Sequence, residues 1–225
     1  MDFITVRIAG ETTDRQVSPG TRVLDLFGDT PEVDGLFATA AKVNNAYASL
    51  QDRLTVDCVV EPIGLGSTAG MRIYRKSLIF LLELAAGDLF PAERRLVVGH
   101  ALGHGFYHRF HDDGPLATEK DARRLEERMK ELVSADLPIL SEEVSWAAAV
   151  DYFRKKKHPS TTLLLEEMNE PRVGIWRCGE EMTLRHYPLV PRTGMLDVFA
   201  VDFYKDGFLL RYPASSNPRE LGERD

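Results

Sequence analysis

The run ATAAKVNNAYASLQDRLTVDCVVEPI, Ala38 to Ile63, decides how the front of the chain folds. It reads as a strand up to Val43, a turn at Asn44-Asn45, where asparagine tolerates the left-handed backbone of a tight hairpin, and a return strand through Ala46. Asp52-Arg53-Leu54 marks a corner, and Val56 to Val60 is a final β-branched strand. Upstream, Ile4, Val6 and Ile8 alternate with Phe3, Thr5 and Arg7, a turn follows at Gly10-Glu11-Thr12, and Arg15 to Val17 runs back as the second arm of a hairpin. Ser18-Pro19-Gly20-Thr21 offers helix-start chemistry for a short helix carrying Val23, Leu24, Leu26 and Phe27, which Gly28 ends. The order β-β-α-β-β-β outlines a β-grasp domain over residues 1–63.

The 225 residues are 44% hydrophobic and 28% charged, ordinary globular composition with enough apolar surface for a core. A net charge of -7 argues against a surface built throughout to neutralise phosphates. Cys58 and Cys178 lie far apart and match no paired metal spacing, so reduced, structural cysteines are expected. The N-terminus has no basic flank leading into an apolar run, and no stretch reaches the roughly 18 apolar residues of a membrane span. A cytoplasmic protein with no membrane partner is expected.

Residues 64–70, GLGSTAG, match a variant of the dinucleotide fingerprint. The preceding strand closes a β-grasp unit and does not open a βαβ unit, so a linker is the favoured reading. A strong helix follows from Met71 to about Leu89, with Ile73, Leu78, Ile79, Leu82, Leu84 and Ala85 on its apolar face. Arg94 to Val98 reads as a strand, Glu119 to Asp136 as a second helix behind Thr118, and a third helix follows Ser141-Glu142-Glu143. Three strand-like runs come last, Arg172 to Trp176, Met195 to Tyr204 and Phe208 to Tyr212, and Pro213 to Asp225 reads as a linker or tail. The fold class expected is α+β in both parts.

Several stretches support a resemblance. SPGTRVLDLF with AAKVNNAYASLQDRL resembles the TGS domain, a β-grasp module of threonyl-tRNA synthetases, certain GTPases and stringent-response enzymes. MRIYRKSLIFLLELAAGDLFPAERRLVVGHALGHGFYHRF, DLPILSEEVSWAAAVDYF and YPLVPRTGMLDVFAVDFYKDGFLLRYP resemble the editing-like domain of threonyl-tRNA synthetase, here over residues 71–212. MRIYRKSLIFLL, HALGHG, VPRTG and DGFLLRYP further resemble the front half of a bacterial nucleoside kinase of the uridine kinase type. That resemblance implies a non-catalytic, ligand- or RNA-binding regulatory module, with a P-loop kinase domain following in cis. ATP and magnesium would then serve that absent domain, with no cofactor in this chain, and no G-x-x-x-x-G-K-[ST] string occurs here. The rival implication is a trans-editing aminoacyl-tRNA deacylase.

The synthetase's editing domain carries a His-x-x-x-His pair on its first helix and a Cys-x-x-x-His pair near its end. These positions fall on Lys76 and Phe80, and on Arg185 and Leu189. None keeps the ligand chemistry, so the inherited form of deacylation is expected to be absent. GHALGHGFYHRF, Gly99 to Phe110, spaces His100, His104 and His108 by four, but its glycines disfavour a helix. A glycine-rich loop entering a strand over Gly105 to Phe110 is the favoured reading, with His108 on the core side and His111 on the wet side. The functional reading lines a cleft with Lys76, His100, His104, Arg185 and His186, suited to a phosphate, a nucleotide or an RNA end. The basic run Arg154 to His158 reads first as a helix C-terminus with solvated lysines.

Overall fold

Alternation at the N-terminus yields the expected hairpin: β1 (Ile4–Ile8) pairs antiparallel with β2 (Asp14–Val17), Ile4 opposite Val17. A computed structural model describes residues 3–28, 31–111, 114–168 and 170–222. The last three residues of the expected tail lie outside that set. The short helix expected after Ser18 is a single 3-10 turn at Leu24–Leu26. The Asp25 carboxylate takes the Arg22 amide and guanidinium, and Gly28 turns the chain out at φ 83°, so nothing propagates a second turn. Four more strands complete the unit: β3 (Glu32–Val33), β4 (Leu36–Val43), β5 (Ala46–Ala48) and β6 (Cys58–Gly64). Asn44 and Asn45 both take positive φ, which makes the β4–β5 turn the tight hairpin their pairing implies. The strands lie in the order β2-β1-β6-β4-β3, with β5 against β4 and β1 parallel to β6. Their inner face buries Val6, Val23, Ala41, Leu50 and Val60 completely.

Residues 64–70 form a tight strand-to-helix corner. Ser67 caps α1 (Thr68–Leu89) by accepting from the Gly70 amide at 2.9 Å, and a side chain on Gly70 would fall on the Gly64 carbonyl oxygen. Helix α1 is apolar almost all round, which is the mark of a central helix. Only Thr68, Arg72, Lys76, Gly87 and Asp88 along it are exposed. Ser77, fully buried, donates to the Ile73 carbonyl at 2.9 Å and accepts from the Val190 amide at 3.0 Å. Tyr74 likewise meets both backbone groups of Val198, so α1 is tied twice to the chain leading into the last strands.

Two further sheets pack around α1. A turn at Ala92–Arg94 leads into β7 (Leu96–Leu102), which forms a hairpin with β8 (Gly105–Phe110); the expected glycine-rich loop is thus partly strand. Helix α2 (Glu119–Ala135) starts on a Thr118 and Asp121 capping box and buries Leu125, Met129 and Leu132. The segment after Pro138 departs from the helix expected at Ser141: β9 (Leu140–Ser145) pairs with β10 (Arg172–Cys178) along its whole length. The helix, α3 (Trp146–Lys155), begins only where the Ser145 side chain accepts from the Ala148 amide. A short α4 (Pro159–Glu167) and β11 (Glu181–Leu184) were not foreseen. The chain ends in β12 (Ala200–Tyr204) and β13 (Gly207–Arg211). The sheets read β11-β10-β9 and β12-β13-β8-β7, all antiparallel. The architecture is mixed α+β, as expected. Beyond Tyr212 the tail folds back in part: Pro213 is buried and the Arg219 guanidinium donates to the Gly35 carbonyl at 2.8 Å.

Candidate functional site

Where α1 passes the free edge of β11, the helix is not fully covered, and a half-enclosed cavity of about 240 Å³ opens. Phe80, Glu83, Leu84 and Gly87 reach it from α1 because residues three and four apart share one helix face. Arg94 and Arg95 enter from the turn before β7, Tyr152 and Lys156 from α3, and Glu181 to Leu184 from β11, with His158 and His186 at its edges. The lining mixes apolar side chains such as Phe80, Leu84 and Phe153 with an almost equal share of polar and charged ones, so the cavity offers convergent polar groups to a ligand.

Some of those polar groups already satisfy one another. The Tyr152 hydroxyl donates to the Glu181 carboxylate at 2.8 Å and accepts from the Met182 amide at 2.8 Å, and Lys156 forms an ion pair with Glu181. Burial, with help from the neighbouring carboxylate, raises the Tyr152 pKa, so its proton stays on. Glu83 and Arg95 differ. Neither side chain makes a hydrogen bond or ion pair in the described structure, and the buried Arg95 Nε is without a partner. Desolvation pushes the Glu83 carboxyl up to about 7; Glu181 adds to the rise, while Arg95 and Lys76 oppose it. The Arg95 guanidinium is in turn lowered by burial and raised by Glu83, so the two sense one another without touching. Burial also lowers His158 to about 4, and it is neutral at pH 7.

The five residues expected to line a cleft do not gather. Lys76 stands exposed on α1 one turn before Phe80, within electrostatic reach of Glu83, and His186 lines the pocket. Arg185 turns away: it donates to the Ser141 hydroxyl at 2.7 Å and pairs with Glu143, lying across Gly174, whose missing side chain makes the room. His100 and His104 sit on the β7–β8 hairpin in the other sheet, both exposed. The His100 ring stacks against Tyr107 at 5.6 Å. His108 is buried as its alternation requires, with Nδ1 2.9 Å from the Phe106 carbonyl and a pKa lowered by burial to about 4. His111 is exposed, as expected. Among the described residues no three His, Cys, Asp or Glu side chains converge as a metal site. The basic run ends α3, as read, but Lys156 turns into the pocket.

Glu83, Arg95, Tyr152, Lys156 and Glu181 were missed as site residues. Glu83 carried a signal: it is the one acid in the apolar run SLIFLLELAAG, where an ionisable side chain needs a reason. The others meet only through tertiary packing.

No family model matches the chain. Threonine–tRNA ligases do match: that of Syntrophotalea carbinolica is 33% identical over 162 residues, 72% of this chain and 25% of the ligase. The ligase of Symbiobacterium thermophilum is 32% identical over 72% of the chain and 25% of its own length. That of Aquifex aeolicus is 28% identical over 88% of the chain and 31% of its own length. The chain therefore spans about a quarter to a third of the length of these relatives. They lend the expected uridine kinase context no support. No helix among the described residues is long and apolar enough to cross a membrane. The homologues of this chain are threonine–tRNA ligases, with the similarity confined to that fraction of their length.

Proposed function

We propose that the chain is a tRNA-directed module of the synthetase editing type, whose pocket takes the aminoacyl end of a tRNA. The observation that carries this reading is the presence of two uncommitted groups, Glu83 and Arg95, in the lining of one cavity. A carboxylate there suits the ammonium of an aminoacyl ester, and a guanidinium with five donors suits its carbonyl, ribose oxygens or the adjoining phosphate. Phe80, Leu84 and Met182 offer apolar surface to a base or side chain. Residues 1–63 would serve as a TGS-type interaction module beside it.

Recognition here does not use histidine-pair chemistry, because Phe80 and Leu189 are buried apolar residues and Arg185 is held across Gly174 by Ser141 and Glu143. A second reading, a trans-editing deacylase, is favoured by one observation: a carboxylate titrating near 7 is matched to general-base work at neutral pH. Glu83 would then take a proton from water as it adds to the ester carbonyl and return it to the ribose oxygen as the ester C–O bond breaks, with Arg95 facing the developing oxyanion.

A non-hydrolysable amide analogue of seryl- or threonyl-adenosine tests the proposal by calorimetry. Saturable binding is expected, strengthening as pH rises through 7 and Glu83 ionises, and weakened at least tenfold in Arg95→Met. No binding at any pH between 6 and 8 overturns it. Release of serine from seryl-tRNA, accelerated by wild type and not by Glu83→Gln, would make the module a deacylase.

A further inference from the structure

Helix α1 presents the pocket with Phe80, Glu83, Leu84 and Gly87, and the same face continues toward its N-terminus through Lys76 and then Arg72. At 1.5 Å of rise per residue, Lys76 lies one turn before Phe80 and Arg72 about 6 Å further on. Both are exposed, and neither makes an ion pair or side-chain hydrogen bond in the described structure. Arg7, Arg22, Arg123, Arg128, Arg154 and Arg177, by contrast, are each matched to a carboxylate. In a chain with a net charge of -7, two uncommitted cations in line with the only described cavity that holds Glu83 and Arg95 call for an anionic partner.

We infer that Arg72 and Lys76 form a phosphate-binding stripe on α1, holding two successive phosphates of the RNA strand whose 3′ end occupies the pocket. The inference rests on the proposed aminoacyl-end reading and adds to it the path of the strand: away from the pocket along α1 toward the Ser67 corner. The backbone rise of about 6 Å between the two positions is comparable to one phosphate-to-phosphate step of an extended strand, so each side chain would meet its own phosphate. Phosphate contacts of this kind position a strand without reading its sequence. In the run Arg154 to Lys157, Arg154 is matched by Asp151 and Glu166, and Lys156, which lines the pocket, is matched by Glu181.

The test is the salt dependence of binding to an RNA minihelix with a single-stranded CCA end. Each single-strand phosphate contact contributes roughly 0.7 to the slope of log K against log salt. The double variant Arg72→Ala with Lys76→Ala is expected to bind roughly tenfold more weakly near 0.1 M salt and to lose about 1.4 from the slope. Lys155→Ala with Lys157→Ala is expected to change neither. An unchanged slope in the first variant, or equal losses in both, overturns the stripe. Wild type that binds the adenosine analogue but not the minihelix also overturns the stripe and leaves the pocket reading standing, whereas wild type that binds the minihelix through these two residues but not the analogue overturns the pocket reading and the strand's path into it, leaving only the two phosphate contacts. Binding of a polyglutamate peptide with the same slope as the minihelix would assign the cations to an acidic protein partner and overturn the stripe.

Discussion

Glu83→Gln stabilises the protein at pH 8 by about 1–3 kcal/mol and leaves its stability at pH 4 unchanged. The Glu83 carboxyl is raised from an ordinary 4.5 to about 7, a difference of about 2.5 units, and at 1.36 kcal/mol per unit the ceiling is about 3 kcal/mol. Because the side chain is half-buried, water relieves part of that cost, which sets the lower figure. The sign follows from linkage: the native state holds this proton more tightly than the unfolded chain does. Its contribution is complete below about 4.5 and is lost as pH rises through about 7, so a neutral isostere removes a penalty present only on the alkaline side. Urea unfolding of wild type and variant at pH 4 and pH 8 measures it. Equal differences at the two pH values would show that Glu83 ionises as freely in the native state as in the unfolded one. A residue that destabilises the native state at working pH, in a pocket, is what a site optimised for a ligand carries.

Gly70→Ala costs about 3 kcal/mol or more, and Gly66→Ala, four residues earlier in the same glycine-rich stretch, costs under about 1 kcal/mol. A methyl group on Gly70 meets the Gly64 carbonyl and the Leu65 Cα, both backbone, so the corner between β6 and α1 must open. At Gly66 it meets only the Leu36 Cδ1 at 3.0 Å, the end of a flexible side chain. Thermal unfolding of both variants separates them. Similar losses would mean that residues 64–70 yield like a free linker. The corner matters to the site because it sets where α1 starts, and with it the direction in which Lys76, Phe80 and Glu83 point.

GLGSTAG is a case where motif and linker readings both gave way to packing. Nothing local distinguishes the glycine that must lack a side chain from its neighbours; the Gly64 carbonyl that forbids one is brought there by the sheet. Elements carried by strong local signals were legible: the Asn44-Asn45 hairpin, the Thr118 cap of α2, and the β8 strand with its buried His108. β9 was not, because Glu142, Glu143 and Ser141 are also helix-start residues, and only β10 alongside decides for a strand. The site was half legible. Of the positions that the resemblance marked, Phe80 lines the pocket, whereas His100 and His104 of GHALGHGFYHRF sit on the β7–β8 hairpin in another sheet. Glu83 and Arg95 are twelve residues apart in sequence and line one pocket only because the chain reverses at Pro91 and re-enters beside α1.

The central claim is that this pocket holds the aminoacyl end of a tRNA. Fluorescence anisotropy with one tRNA, carried as a non-hydrolysable amide-linked aminoacyl form and as the uncharged form, tests it most directly at pH 8. The account predicts at least tenfold tighter binding of the charged form, an advantage that disappears in Glu83→Gln. Equal affinity of wild type for the two forms would contradict it.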